Sequence, residues 1–203
     1  MNKSVNEWEA PIRARILAAA RALFLQEGFE GVSVRRIAGC AGCSPGMLYH
    51  FFSSKELLLA GLVESAFEKL DRCLARYASA RGDPLRRLQR TLHAYIEFGF
   101  EHPHEYRFLF THGHGQLAAD VRSVFETRGI ACFRRLHVLC EKTAAEGLLR
   151  KGPGTPDEIA QTLWASIHGL IDLLHSAGGF PFAARKRLAR RQVEILTAGI
   201  RKA

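Results

Sequence analysis

The chain contains 203 residues, of which 47% are hydrophobic, and its formal net charge at pH 7 is +9. This hydrophobic content excludes an intrinsically disordered chain, and no apolar run reaches the ~18 residues that a membrane-spanning helix requires. The N-terminal sequence MNKSVNEWEAPIR lacks the apolar segment of a signal peptide, so we expect a cytoplasmic protein with reduced thiols and no membrane partner.

The positive charge is unevenly distributed along the chain. Residues 1–56 contain seven Lys or Arg and five Asp or Glu, whereas residues 183–203 contain seven basic residues and one acidic residue. The overall charge suits nucleic-acid binding. Because the excess lies near the C-terminus, however, a prediction of DNA binding depends on a motif rather than on composition.

The first predicted helix covers residues 12–27, and Gly28 follows it. A second helix, a turn and a third helix are predicted within residues 33–52. Ser33 has the position of a helix N-cap, and Gly42 lies where the chain must turn, since glycine adopts positive φ without a Cβ clash. Ser44 offers a second cap and Pro45 suits the first helical position. This layout is that of a helix-turn-helix, whose second helix enters the DNA major groove.

The rest of the chain also has helical periodicity. Ser53 and Glu56 have capping-box spacing, which predicts a long helix from about Ser54. Further helices are predicted from Asp83-Pro84, from His102-Pro103 to about residue 111, over residues 117–146, over 157–176 after a Thr155/Glu158 capping box, and over 182–201. No β alternation and no internal repeat is present. The sequence therefore predicts an all-α protein with about nine helices: an N-terminal three-helix helix-turn-helix domain and a C-terminal helical bundle.

The N-terminal region resembles the TetR/AcrR family of bacterial transcriptional regulators over roughly residues 10–60. The matching positions are Ala19-Ala20-Arg21-Ala22-Leu23-Phe24, Glu27-Gly28-Phe29, Ile37-Ala38, Ala41-Gly42, Ser44-Pro45-Gly46, Leu48-Tyr49, Phe52 and Ser54-Lys55-Glu56-Leu57. A second resemblance is to the Trp-x-x-x-His-Gly-Leu subgroup of C-terminal domains, through Trp164, His168, Gly169 and Leu170 and the segment PHEYRFLF from Pro103. The resemblance implies a DNA-binding domain over residues 10–56, with its motif at 33–52, and an effector-binding and dimerisation domain over 57–203.

The predicted recognition helix, Pro45 to Phe51, spans roughly 10 Å, which fits the ~12 Å major groove. If Leu48, Phe52 and Met47 pack inward, the side of the helix that faces DNA carries Ser44, Pro45, Gly46, Tyr49 and His50. Tyr49 and His50 offer a phenol and an imidazole to phosphates. The alternative is that these residues are ordinary caps and a solvated surface.

Three further residues complete the predicted DNA interface. Ser33 and Lys55 lie at helix starts, where backbone N–H groups favour an anion. Arg35 matches a family position that reads a base edge in some relatives, and a guanidinium binds guanine O6 and N7 bidentately. Phe51 departs from the family, which usually has His or Tyr there, so the phosphate contact is either lost or taken over by His50.

The family resemblance also implies two functions for the C-terminal half. A cavity for a small, apolar or aromatic effector is expected near Phe98, Tyr106, Phe108, Phe110, Trp164 and His168. A homodimer is expected through the last two long helices, with an apolar seam of Ala165, Leu170, Ile171, Leu174, Leu188, Val193 and Leu196. The chain is then a regulator, most simply a repressor, that leaves a palindromic double-stranded DNA operator when the effector binds.

Other interpretations remain open. Cys40 and Cys43 form a C-x-x-C that suggests a redox switch, although both suit small buried positions. His102, His104, Glu105, His112 and His114 suggest a metal sensor, although several flank helix breaks. A helical adaptor that binds protein is a further alternative. No nucleophile–base spacing, phosphate loop or HExxH pair indicates an enzyme, and no cofactor or metal site is predicted.

Overall fold

The computed structural model describes residues 4–110, 119–152 and 154–202. Within these ranges the chain forms nine α-helices and no β-strand, which confirms the predicted fold class. The helices are α1 (Ser4–Glu27), α2 (Val34–Ala41), α3 (Pro45–Phe51), α4 (Lys55–Ala78), α5 (Pro84–Glu101), α6 (Pro103–Phe110), α7 (Ala119–Ala145), α8 (Pro156–Ser176) and α9 (Arg185–Ile200). No helix in the described part of the chain is both long and apolar enough to span a bilayer.

Two predicted helix starts and one predicted helix cap were wrong. Helix α1 begins at Ser4, well before its apolar stripe, and continues through the exposed Pro11. The hydroxyl that caps α4 belongs to Ser54 rather than Ser53, because the Leu57 N–H donates to Ser54 Oγ at 3.1 Å. Helix α9 begins at Arg185 instead of residue 182.

The described residues divide into two compact units. Unit 1 comprises Met1–Ala66 and Arg107–Thr127, and unit 2 comprises Phe67–Tyr106 and Arg128–Ala203. The first division falls within α4, downstream of the predicted domain boundary between residues 56 and 57. That boundary therefore stays a prediction.

The core of unit 1 is built from the apolar faces of its first four helices. Ile16 of α1, Ile37 of α2, Leu48 of α3 and Leu58 of α4 are fully buried. The four side chains come from the i, i+3, i+4 patterns that define each amphipathic helix. Their burial fixes which face of the short α3 remains outside.

The core of unit 2 brings α5 and α8 unusually close together. A Cβ atom on Gly99 of α5 would lie 2.7 Å from Cγ2 of Ile171 on α8, so any larger residue at position 99 would force Ile171 or the two helices to shift. Ion pairs tie α4 to its neighbours in this unit: Arg135 Nη2 donates to Asp71 Oδ2 at 2.7 Å, and Lys69 Nζ lies 2.9 Å from Glu105 Oε1.

Candidate functional site

The turn between α2 and α3 has the local chemistry that the sequence predicted. Ser33 caps α2, because its Oγ accepts from the Arg36 N–H at 3.3 Å, and Gly42 ends the helix with φ of +63°. Ser44 Oγ accepts from the Met47 N–H at 3.1 Å, and Pro45 occupies the first helical position of α3. Each serine hydroxyl keeps its proton, which can still be donated to a phosphate.

Helix α3 is held by one face and exposed on the other. Leu48 and Phe52 are buried, and the Phe52 ring lies against α4, where a Cβ on Gly61 would come within 2.8 Å of it. The opposite face carries the exposed Gly46 and Tyr49, whose side chain is 50% exposed. This anchoring leaves a short helix presented outward on the other helices of unit 1.

The guanidinium of Arg15 on α1 fixes the backbone of the turn. Its Nε donates to the carbonyl of Ala41 at 3.0 Å, and its Nη2 donates to the carbonyl of Gly42 at 2.8 Å. These carbonyls lie at the C-terminal end of α2, where helix bonding leaves acceptors free. The sequence analysis missed this residue, because nothing in the sequence distinguishes Arg15 from the other arginines of α1.

Lys55, at the start of α4, makes an internal contact. Its ammonium donates to the carbonyl oxygens of Phe29 and Val32 at 2.9 and 3.3 Å, and lies 4.2 Å from the centre of the Phe29 ring. The ammonium therefore joins α4 to the turn before α2. A phosphate contact by Lys55 stays a prediction, and the backbone N–H groups of the helix start are the donors that remain for it.

The other predicted DNA contacts differ in what they touch. Arg35 is exposed, whereas its neighbour Arg36 forms an ion pair with Glu27. His50 is exposed, but its Nε2 lies 3.5 Å from Glu9 Oε1, and its ring meets the half-buried Phe51 ring edge-to-face at 5.2 Å. A phosphate would have to compete with the Glu9 carboxylate for His50.

Unit 2 contains a cluster of hydrogen-bonded aromatic side chains, which we call the aromatic cluster: Tyr95, Tyr106, Phe133, Trp164 and His168. Trp164 Nε1 donates to Tyr95 Oη at 3.0 Å, and Tyr106 Oη lies 2.6 Å from His168 Nδ1. The Phe133 and Trp164 rings are 5.9 Å apart and meet edge-to-face. Three of the six residues predicted for an effector site, Tyr106, Trp164 and His168, are thus brought together.

Burial controls the protonation of this cluster. It lowers the pKa of His168, while the carboxylate of Asp172 opposes that shift. Burial also raises the pKa of Tyr95 and of Tyr106 above the ordinary tyrosine range. At neutral pH the imidazole is therefore uncharged and both phenols keep their protons, so the Tyr106 O–H donates to His168 Nδ1.

The other three residues predicted for the effector site, Phe98, Phe108 and Phe110, do not belong to the aromatic cluster. Phe98 is buried in α5 of unit 2, where its ring meets the His102 ring at 5.2 Å. Phe108 and Phe110 belong to unit 1; Phe108 is buried and Phe110 is half-buried. Tyr95 and Phe133 were not predicted, since their apolar helix faces indicated only core.

The predicted dimer seam needs a correction. Ile171 and Val193 are 0% and 1% exposed within the single chain, so neither can contact a partner. Leu170, Leu174, Leu188 and Leu196 are half-buried, and Ala165 is exposed. The apolar pattern of α8 and α9 includes residues that pack inside the protomer, and the exposed Leu173 and Ile195 lie on the same two helices.

The sensor alternatives gain little from the structure. Cys40 is exposed and Cys43 half-buried, and both are free thiols, so redox sensing stays a prediction. Of the residues proposed for a metal sensor, His112 and His114 lie outside the described residues. Within the described ranges no group of three or more His, Cys, Asp or Glu is arranged to hold a metal ion.

Comparison with known protein families identifies this arrangement. The model of the bacterial regulatory proteins of the tetR family matches residues 16–62, and that of the tetracyclin repressor-like C-terminal domain matches residues 88–196, more than half of the chain. The chain belongs to the TetR family. The family models thus cover both the capped turn in unit 1 and the whole aromatic cluster in unit 2.

Two curated TetR-family relatives match part of the chain. The HTH-type transcriptional regulator UidR of Escherichia coli is 42% identical over 67 residues, which are 33% of each chain. The HTH-type transcriptional repressor KstR2 of Mycobacterium tuberculosis is 34% identical over 113 residues, 54% of each chain. The chain thus spans between a third and about half of the length of these relatives.

Solved structures share the fold over almost the whole length. The structure of AibR in complex with isovaleryl coenzyme A and operator DNA has a TM-score of 0.74 at 20% identity, covering 92% of this chain and 98% of that one. The ketosteroid transcriptional regulator KstR2 of Mycobacterium tuberculosis gives 0.71 at 22% identity, covering 94% and 95%. At these identities the likeness establishes the common fold.

Proposed function

We propose that this protein is a DNA-binding transcriptional regulator, most simply a repressor, which leaves its operator when a small effector binds. The observation that carries the proposal is the exposed face of α3, with Tyr49 on a helix capped by Ser44 and anchored by Leu48. A regulatory rather than a catalytic role agrees with the TetR-family relatives. Action on chromosomal DNA places the protein in the cytoplasm.

The DNA-binding proposal is tested by footprinting the protein on the DNA upstream of its own gene. We expect Tyr49→Ala to weaken operator binding by about 10- to 100-fold, the effect of losing ~1–3 kcal/mol of contact free energy. Thermal stability should hardly change, because half of this side chain is already in solvent. Phe180→Ala removes an exposed aromatic residue of unit 2 and is the matched control. Equal affinity of both variants would contradict the proposal.

We infer that the aromatic cluster binds the effector and place the C-terminal half in the Trp-x-x-x-His-Gly-Leu subgroup. Pairs of rings with a few convergent polar atoms suit a small ligand that is mainly apolar or aromatic. Trp164 provides the assay: in a Trp8→Phe background it is the only remaining tryptophan. Titration with acyl-coenzyme A thioesters, such as the isovaleryl ester bound to AibR, and with sterol-derived ketones should change its fluorescence and release operator DNA together.

We propose a homodimer through the exposed faces of α8 and α9, in which Leu173 and Ile195 replace Ile171 and Val193 of the predicted seam. Leu173 and Ile195 are 50% and 61% exposed, and each lies within a heptad of two half-buried leucines on its own helix, Leu170 and Leu174 on α8 and Leu188 and Leu196 on α9. These residues form continuous apolar helix faces that suit a partner chain. Leu173→Arg and Ile195→Arg should each yield monomers in light scattering. Ile130→Arg, which changes an exposed isoleucine of α7, is the control. Dimers of unchanged stability in all three variants would refute this seam.

A further inference from the structure

Helix α9 and the residues beside its C-terminal end form a basic surface that the predicted DNA interface does not use. Its members are all exposed: Arg185, Lys186, Arg187, Arg190, Arg191, Arg201 and Lys202, with Arg150 and Lys151. Arg150 and Lys151 lie next to the C-terminal end of α9 because Leu149 and Arg201 form an antiparallel bridge. In this bridge the Arg150 N–H donates to Ile200 O at 3.0 Å and the Lys202 N–H donates to Leu148 O at 2.8 Å. We call these nine residues the α9 basic surface.

The charge of the α9 basic surface is barely neutralised. Glu194 is the one acidic residue of α9, and it pairs with Arg190 at 3.7 Å and with Arg191 at 3.1 Å. Arg185 stacks over the Phe100 ring at 5.4 Å and keeps its charge. The other six cations have no ion pair within the part of the chain that the structure describes. Such a concentration of like charge destabilises the folded chain unless an anionic partner offsets it.

The α9 basic surface lies beside the proposed dimer seam and is mostly distinct from it. The buried stripe of α9 is Ala189, Val193 and Thr197. At about 100° per residue, Arg187 and Arg190 lie on one side of this stripe, and the half-buried apolar Leu188 and Leu196 lie on the other. A partner chain seated on the apolar side therefore leaves Arg187 and Arg190 available, whereas Arg191, one turn before Ile195, borders the seam.

We propose that the α9 basic surface binds the phosphate backbone of double-stranded DNA without reading its bases. Six of the nine cations are arginines, whose planar guanidinium groups bind phosphate oxygens bidentately. Arg187 and Arg191 are one turn apart, about 6 Å along the helix axis, and so are Lys186 and Arg190, so these four charges form a strip along the first half of α9 that suits a rod-like polyanion. The choice of duplex DNA over other polyanions rests on the proposed function, which brings the chain onto the chromosome.

The test measures binding to a short duplex of non-operator sequence, using full-length protein with Tyr49→Ala and His50→Ala to disable α3. Affinity is followed by fluorescence anisotropy between about 50 and 200 mM salt. The variant K186Q/R187Q/R190Q/R191Q should reduce the slope of log affinity against log salt by about 3 to 4, since each phosphate contact contributes about 0.9. Its affinity at low salt should fall at least about tenfold.

The matched control is R76Q/R81Q/R86Q/R90Q, which removes the same number of exposed charges elsewhere in unit 2. Its slope should change by less than about 1. Because α9 adjoins the dimer seam, R150Q/K151Q/R201Q/K202Q provides a second variant with no change between residues 185 and 200, and should reduce the slope by a similar amount.

Equal slopes for the surface and control variants would overturn the proposal. So would tighter binding to single-stranded RNA or to vesicles of anionic phosphatidylserine, with the same sensitivity to the variants, because the partner would then be another polyanion. If wild-type protein finds no operator but the surface variants still lose their salt slope on duplex DNA, the proposed function fails and this inference stands.

Discussion

The side chain of Arg15 donates to the main-chain oxygen of Ala41, 26 residues later in the sequence, with its Nε 3.0 Å from that oxygen. The same guanidinium reaches Gly42, the residue in the left-handed conformation that separates α2 from α3. One residue of α1 therefore positions the turn on which the orientation of the predicted recognition helix depends.

Arg15→Gln should weaken operator binding more than it weakens the fold. The substitution shortens the side chain and removes the charge, so the Ala41 and Gly42 carbonyls return to water at a cost of about 1 kcal/mol. We expect increased amide hydrogen exchange at the start of α3 and a several-fold loss of operator affinity. Arg21→Gln, which removes another arginine of α1, is the control. Unchanged amide hydrogen exchange in Arg15→Gln would show that the conformation of the turn does not depend on the Arg15 side chain.

Gly99→Ala should destabilise unit 2. The added methyl group would lie 2.7 Å from Ile171 Cγ2, so α5 and α8 must separate or Ile171 must change rotamer, at a cost of about 1–3 kcal/mol. Gly129→Ala in α7 is the comparison, because its Cβ would be 3.4 Å from the nearest atom of Phe67 and alanine favours the helix. Denaturant unfolding should show a loss in the first variant and none in the second; equal stabilities would mean that α5 and α8 are less closely packed.

The stability of the protein should fall as pH drops through the titration of His168. Burial lowers the folded-state pKa of this imidazole below its ordinary value of 6.5, so the unfolded chain binds more protons in that range. Stability therefore rises with pH below about 6.5 and is unaffected by this group above it. His168→Gln should have a smaller difference in melting temperature between pH 7.5 and 5.5 than the wild type has. If the melting temperature of both proteins changed by the same amount between the two pH values, a group other than His168 would be responsible for the pH sensitivity.

The cysteines should react with iodoacetamide in an order that follows exposure. Cys40 is exposed, whereas burial raises the pKa values of Cys132 and Cys140 to about 12. Because the thiolate is the reacting species, Cys40 should be alkylated first and the two buried thiols only on unfolding. Peptide mass spectrometry at pH 8 measures this order. Early labelling of Cys132 would indicate that unit 2 opens locally in the native state.

Sequence reasoning succeeded where the determining contacts are local. Ser33, Gly42 and Ser44 act on backbone groups within a few residues of themselves, so their spacing was sufficient to predict the caps and the turn. Arg15 contacts carbonyls 26 and 27 residues away, and Lys55 contacts carbonyls 26 and 23 residues away. These contacts depend on how the helices pack, which no spacing reveals.

The apolar pattern of α8 and α9 was ambiguous for a different reason. A buried residue and an interface residue have the same side-chain chemistry, so the sequence could not separate Ile171 and Val193, which are inside the protomer, from Leu173 and Ile195, which are outside. The hydrogen bond between Trp164 and Tyr95 was equally hidden, since Trp164 was expected at an effector cavity and Tyr95 in the core, and no spacing in the sequence pairs them.

The ammonium of Lys55 has a consequence for movement within unit 1. Its two carbonyl partners belong to the connection between α1 and α2, while its own backbone is the first residue of α4. If α4 slides or rotates, it must either pull that connection along or give up both hydrogen bonds together with the stacking on Phe29. A displacement of the N-terminal end of α4 is thereby transmitted to the residues that precede α2. This transmission requires no contact with α3.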